Sequence, residues 1–122
     1  MSIKISEAEW RIMLLLWEKS PQTAQEITDQ LASEMNWSPN TIKTLLNRLV
    51  KKSALTYEKQ GRAFLYAPKI TEEECRRNER QSFLNRVYGG SIKPMLAAFL
   101  NDENLSDDEI DELKKMLDKH KK

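Results

Sequence analysis

Trp37-Ser38-Pro39-Asn40-Thr41-Ile42-Lys43-Thr44-Leu45-Leu46-Asn47-Arg48-Leu49-Val50-Lys51-Lys52 acquires two unlike faces once it is wound into a helix. Ser38 is a suitable N-cap and Pro39 suits the first turn, where its missing N–H costs nothing. Behind that start, Ile42, Leu45, Leu46, Leu49 and Val50 recur at helical spacing, while Asn40, Lys43, Thr44, Asn47, Arg48 and Lys51 fall opposite. The helix is therefore expected to pack through one side and to present amides, hydroxyls and cations on the other. Such side chains read base edges in a major groove and hold phosphates.

Charge along the chain isolates the same stretch. The 122 residues carry a net charge of only +1, yet residues 38–69 hold Lys43, Arg48, Lys51, Lys52, Lys59, Arg62 and Lys69 against Glu58 alone. That block stands at +6, between an N-terminal segment of net −3 and a C-terminal one of −2. One basic block in a near-neutral chain is the footprint of a nucleic-acid binder. The length allows one compact domain, or a small domain with an appended helical arm. There is no Gly-rich phosphate loop and no His-Glu-x-x-His pair, and one His and one Cys are all the chain contains, so catalysis, a metal site and a cofactor are not expected. The start Met1-Ser2-Ile3-Lys4-Ile5-Ser6-Glu7 does not read as a signal peptide, and no apolar run is long enough to span a membrane. A cytoplasmic protein is the expectation, and the lone Cys75 suits a reducing compartment.

Around the basic block, helix starts are marked by Ser/Thr-x-x-Glu. Ser6 with Glu9 predicts a helix over about 6–18, with Trp10, Met13, Leu14 and Trp17 as its buried stripe. Thr23 with Glu26 predicts a second over about 23–35, burying Ala24, Ile27, Leu31 and Met35. After Lys52 the period drops to about two, and residues 54–58 and 63–67 read as strands joined at Lys59-Gln60-Gly61-Arg62. The fold class is thus mainly α with a small β-hairpin wing: a winged helix-turn-helix domain over 1–70. A helical dimerisation domain over 71–122 follows. It opens with a long polar helix from about Thr71 to Tyr88, interrupted at Gly89-Gly90 either by a true break or by a bend in a longer helix. Beyond it Ile92, Met95, Leu96, Phe99 and Leu100 form an apolar stripe, and a helix over about 106–120 adds Ile110, Leu113, Met116 and Leu117. So apolar an arm is expected to bury itself in a second copy of the chain.

Roles follow from side-chain type and position. Asn40, Thr41, Lys43 and Thr44 lie near the helix start and are the expected base-edge readers. Arg48, Lys51, Lys52, Lys59 and Arg62 are better placed for phosphates, with Ser38 and the first backbone N–H groups able to receive another. Tyr57, Phe64 and Tyr66 are expected to cover the core rather than to stack on bases. The acidic run Asp102-Glu103-Asn104-Leu105-Ser106-Asp107-Asp108-Glu109 lacks the spacing of a calcium loop and reads as a helix start, which His120 complements at the far end. Cys75 reads as a semi-apolar helix residue.

Several of these strings carry a family resemblance. Ser6-Glu7-Ala8-Glu9-Trp10 with Trp17, the Trp37–Leu45 and Arg48–Lys52 strings, Phe83–Gly90 and Leu105–Ile110 resemble the penicillinase repressor family, which controls β-lactamase and methicillin-resistance genes. The likeness covers nearly the full length. It implies a homodimeric winged-helix repressor on a palindromic double-stranded operator. It further implies dimerisation through the C-terminal helices, and derepression when a membrane-bound sensor metalloprotease causes cleavage of the arm. The matching bond is Ala98–Phe99, where the best-known members carry Asn before the Phe. A copper-responsive branch has a cysteine-rich tail that Leu117-Asp118-Lys119-His120-Lys121-Lys122 does not resemble. The alternatives are a metal-responsive repressor of the same family and a winged-helix protein-interaction module that meets an acidic partner without DNA.

Overall fold

Along the chain run α1 (Glu7–Glu18), β1 (Gln22–Thr23), α2 (Ala24–Met35), α3 (Pro39–Lys51), β2 (Leu55–Gln60), β3 (Ala63–Pro68), α4 (Glu72–Tyr88), α5 (Ile92–Asp102) and α6 (Asp107–Lys119). The computed structural model describes residues 3–102 and 104–121; Met1, Ser2, Glu103 of the acidic run and Lys122 lie outside the described residues. The helix starts form as hydrogen bonds. Ser6 Oγ accepts from Glu9 N at 3.2 Å while Ser6 N donates to Glu9 Oε1 at 2.8 Å, and Thr23 with Glu26 and Ser106 with Glu109 repeat the reciprocal pair. Ser38 Oγ accepts from Thr41 N at 3.2 Å with Pro39 in the first turn.

Contacts divide the chain into two units, Met1–Arg80 and Gln81–Lys122. The first is a winged helix-turn-helix. Its core joins Ile12, Met13 and Leu16 of α1, Ile27 and Leu31 of α2, and Ile42, Leu45, Leu46 and Leu49 of α3, closed by Ala54, Leu55, Ile70 and Cys75. Cys75 brings the first turn of α4 into this core.

On α1 the buried face differs from the expected stripe. Ile12, Met13, Leu16 and Glu9 are inside, whereas Trp10, Leu14 and Trp17 are only partly buried. The helix is apolar almost all round from Trp10 to Trp17, so spacing alone does not select the inner face. Each indole also carries an N–H that needs a partner. Trp17 finds one by donating to the Ile70 carbonyl at 3.0 Å, and its ring meets Trp10 edge to face at 5.5 Å.

The wing is a three-stranded antiparallel sheet in the order β1-β3-β2, one strand more than a hairpin. Gln60 pairs with Ala63, so the turn tightens to Gly61-Arg62, with Gly61 at φ +65° in the first turn position. β1 adds Gln22 opposite Tyr66 and Thr23 opposite Leu65. Gln22 is buried and fully engaged: its amide donates to the Lys19 carbonyl at 2.7 Å and accepts from Gln30 at 2.6 Å. That one side chain ties the end of α1 to α2 at the sheet edge.

In the second unit, α4 ends in a true break. Gly89 and Gly90 have φ of +61° and +87°, and Gly90 N donates to the Leu84 carbonyl at 3.0 Å, a left-handed cap of the kind glycine favours. Neither α5 nor α6 buries a side chain among the described residues; Ile92, Phe99, Leu100, Met116 and Leu117 are exposed.

Leu46 is fully buried at the centre of the first core. Leu46→Ala is expected to cost about 2–5 kcal/mol of unfolding free energy. Urea unfolding followed by circular dichroism measures it, and a loss under about 1 kcal/mol is the wrong answer for a close-packed site.

Candidate nucleic-acid interface

α3 divides cleanly between its two tasks. Ile42, Leu45, Leu46 and Leu49 are buried, while Asn40, Thr41, Lys43, Thr44, Asn47, Arg48 and Lys51 are all exposed on the other side. The exposed hydroxyls are partly committed within the helix. Thr41 Oγ1 lies 3.0 Å from Ser38 Oγ, and Thr44 Oγ1 donates to the Asn40 carbonyl at 2.9 Å. Asn40 and Lys43 make no side-chain hydrogen bond among the described residues, so their polar ends are available without breaking a contact.

The cations assigned to phosphates sort into two groups. Arg48 and Lys51 continue down the exposed edge of α3, and Lys59 on β2 and Arg62 in the turn are exposed on the wing. Lys52 differs, because its ammonium sits 2.5 Å from Glu9 Oε1 on α1. A cation half-shielded in this way is spent on holding the end of α3 to the core. Glu9 itself is almost wholly buried, and Oε2 is an unpaired buried acceptor. Burial pushes its carboxyl up, but hydrogen bonds from Lys52 and Ser6 outweigh that and hold it below its ordinary value near 4.5. The position was visible in principle: Glu9, Ile12, Met13 and Leu16 follow the i, i+3, i+4, i+7 spacing of one helix face.

The wing aromatics depart from expectation as well. Tyr66 is partly buried against the core, but Tyr57 and Phe64 are 52% and 41% exposed. Only Leu55 of β2 is buried, so the hairpin projects past the core that was to receive these rings. They pack on one another instead, Tyr57 against Phe64 edge to face at 5.3 Å and against Tyr66 at 6.2 Å. With Asn47, Val50 and Lys51 of α3 they line an open hollow of about 370 Å³.

Cys75 is buried, and that burial, with the charge of Glu79 adding to it, pushes its thiol up to about 11. It stays protonated at neutral pH and is a core residue. No helix among the described residues is long and apolar enough to cross a membrane.

Comparison with known proteins gives a consistent result. The family model for the penicillinase repressor matches residues 5–119. The penicillinase repressor of Bacillus licheniformis is 42% identical over 118 residues, 97% of this chain and 92% of that one. The methicillin resistance regulatory protein MecI of Mammaliicoccus sciuri is 35% identical over 116 residues, 95% and 94% of the two chains. The solution structure of the Bacillus licheniformis BlaI monomeric form in complex with the blaP half-operator is similar at a TM-score of 0.52 and 42% identity. It covers 58% of this chain and 87% of that one.

Because Glu9 has a lower pKa folded than unfolded, its contribution to stability is complete above about pH 4.5 and is lost as the pH falls through its depressed folded value. Glu9→Gln is expected to lower stability at pH 7 by about 1–3 kcal/mol and to flatten the decline between pH 5 and pH 3. Urea unfolding across that range tests it; an unchanged acid limb in the variant contradicts the assignment.

Proposed function

The chain belongs to the penicillinase repressor family, and from that premise we propose that it is a homodimeric, cytoplasmic transcriptional repressor that occupies a palindromic operator. The observation that carries the reading is the division of α3, whose buried ridge forces an uninterrupted polar and cationic edge outward. The 42% identical relative solved with its half-operator supports the same use of this unit.

Asn40 and Lys43 lead the base readout, with Thr41 and Thr44 offering methyl groups and the remaining hydroxyl lone pairs. Arg48, Lys51, Lys59 and Arg62 hold phosphates, and Ser38 places the N-terminus of α3 against another. Lys52 acts from the core side through Glu9, making it the weakest of the six proposed phosphate contacts. Residues 71–122 serve dimerisation, with Ile92, Met95, Leu96, Phe99 and Leu100 of α5 and Ile110, Leu113 and Leu117 of α6 as the covered stripe. In a single chain Ile92, Phe99, Leu100 and Leu117 are exposed and the other four are only partly buried, which supports that use. Two readers then address half-sites about 34 Å apart or a small multiple of that. Release follows cleavage at Ala98–Phe99, brought about by a membrane-bound sensor metalloprotease.

Lys43→Ala is expected to cost about 1–3 kcal/mol on the operator and to relax preference at one position per half-site. Lys59→Ala weakens every duplex about equally. Gel shifts on a palindromic promoter fragment and on unrelated DNA, from about 50 to 200 mM salt, compare them; wild-type affinity falls about 10³- to 10⁵-fold across that range. Two variants that behave alike remove the split between readers and holders. For the arm, Leu96→Glu with Phe99→Glu gives monomers that keep the winged-helix core but bind the operator weakly. Persistence of a dimer in gel filtration refutes the assigned interface.

A further inference from the structure

The hollow between α3 and the wing has no occupant in the reading above. Its lining is aromatic and aliphatic at Tyr57, Phe64, Tyr66 and Val50, and polar at Asn47 and Lys51. Scattered exposed apolar residues are ordinary, but two large rings locked edge to face beside a lysine are a prepared surface. The hollow is continuous with the exposed edge of α3 and lies within the one basic block of the sequence. Its partner is therefore expected to be anionic with an apolar section. A duplex offers that in one place. Its base faces are covered by stacking, whereas each deoxyribose presents C–H edges between two phosphates.

We propose that this hollow seats one sugar-phosphate unit of an operator strand, with Tyr57 and Phe64 packed on the deoxyribose and Lys51 and Asn47 on a flanking phosphate. Asn47 and Lys51 are exposed i, i+4 neighbours on one helix edge, so both polar ends can serve the same phosphate. The proposal rests on the DNA-binding reading and specifies which part of the DNA the wing aromatics take. Contact with sugar and phosphate adds affinity without sequence preference.

The test uses fluorescence anisotropy of the full chain with a palindromic promoter duplex, an unrelated duplex and a single strand, each at several salt concentrations. Tyr57→Ser with Phe64→Ser is expected to weaken both duplexes about tenfold while keeping the wild-type salt slope, since the lost contact is apolar. Tyr57→Phe with Phe64→Leu, which keeps the apolar bulk, retains most of the affinity. Lys51→Met weakens binding and also lowers the salt slope by about one per protomer. A second measurement needs no variant. In each half-site there should be a position where wild-type protein tolerates an abasic site, which keeps the sugar, but not a one-nucleoside gap, which removes it. Unchanged duplex binding by the serine variant while Lys43→Ala still weakens it overturns the seat and leaves the DNA reading standing. A loss confined to single strands overturns the seat in favour of base stacking. Wild-type protein that binds no duplex defeats the DNA-binding reading itself.

Discussion

A helix of thirteen residues is marginal by itself in water, so α3 exists because Ile42, Leu45, Leu46 and Leu49 are taken into a core that α1 and α2 supply. The polar edge of α3 is placed by that burial rather than by its own chemistry. Any rotation of the helix that exposed one leucine would bury Lys43 or Asn47 against apolar side chains, where neither has a partner. The core therefore fixes the azimuth of the reading edge. Ser38 and Pro39 fix its start, and the hydrogen bond from Ala54 N to the Leu49 carbonyl carries the chain directly into the wing.

The Glu9–Lys52 pair adds a polar lock to this apolar one. Lys52 stands at the C-terminal end of α3, where a cation complements the helix dipole, and Glu9 anchors it from α1. An acid of the negative N-terminal segment thereby neutralises one cation of the basic block. The charge available to phosphates is smaller than the sequence count suggests, and it is distributed along an edge of α3 and the tip of the wing. The unpaired Oε2 of Glu9 is a cost of this arrangement, offset by the three hydrogen bonds that its partner oxygen and the Ser6 cap share.

Helix starts, the hairpin and the division of α3 were legible in the sequence because each rests on local chemistry: a capping oxygen three residues from its donor, a glycine at a left-handed turn, a spacing of three and four. The inner face of α1 was not, because seven of its eight residues from Trp10 to Trp17 are apolar and only tertiary packing selects among them. The same holds for β1. Two residues carry no periodicity, and Gln22 becomes structural only through Lys19, Leu15 and Gln30 around it. Tyr57 and Phe64 were read as core cover from their type alone, and whether a ring on a hairpin is covered depends on how far the hairpin outruns the core.

In the proposed dimer the arm sets what this interface can achieve. A few base contacts worth about 1–3 kcal/mol each give one protomer little advantage over the many competing sites on a chromosome. Joining two protomers makes the second half-site encounter intramolecular, and specificity multiplies without a new contact. In the proposed dimer, Ala98 and Phe99 lie inside α5, among the groups that would become covered. A protease needs extended backbone, so the bond is protected as long as the stripe is buried, and opening α5 is what exposes it. With no side chain of α5 buried within a single chain, the proposed partner would supply the burial that stabilises that helix. In that proposed dimer, resistance to cleavage would draw on the same free energy as dimerisation, so a signal that loosened the arm would weaken operator occupancy and uncover the bond together.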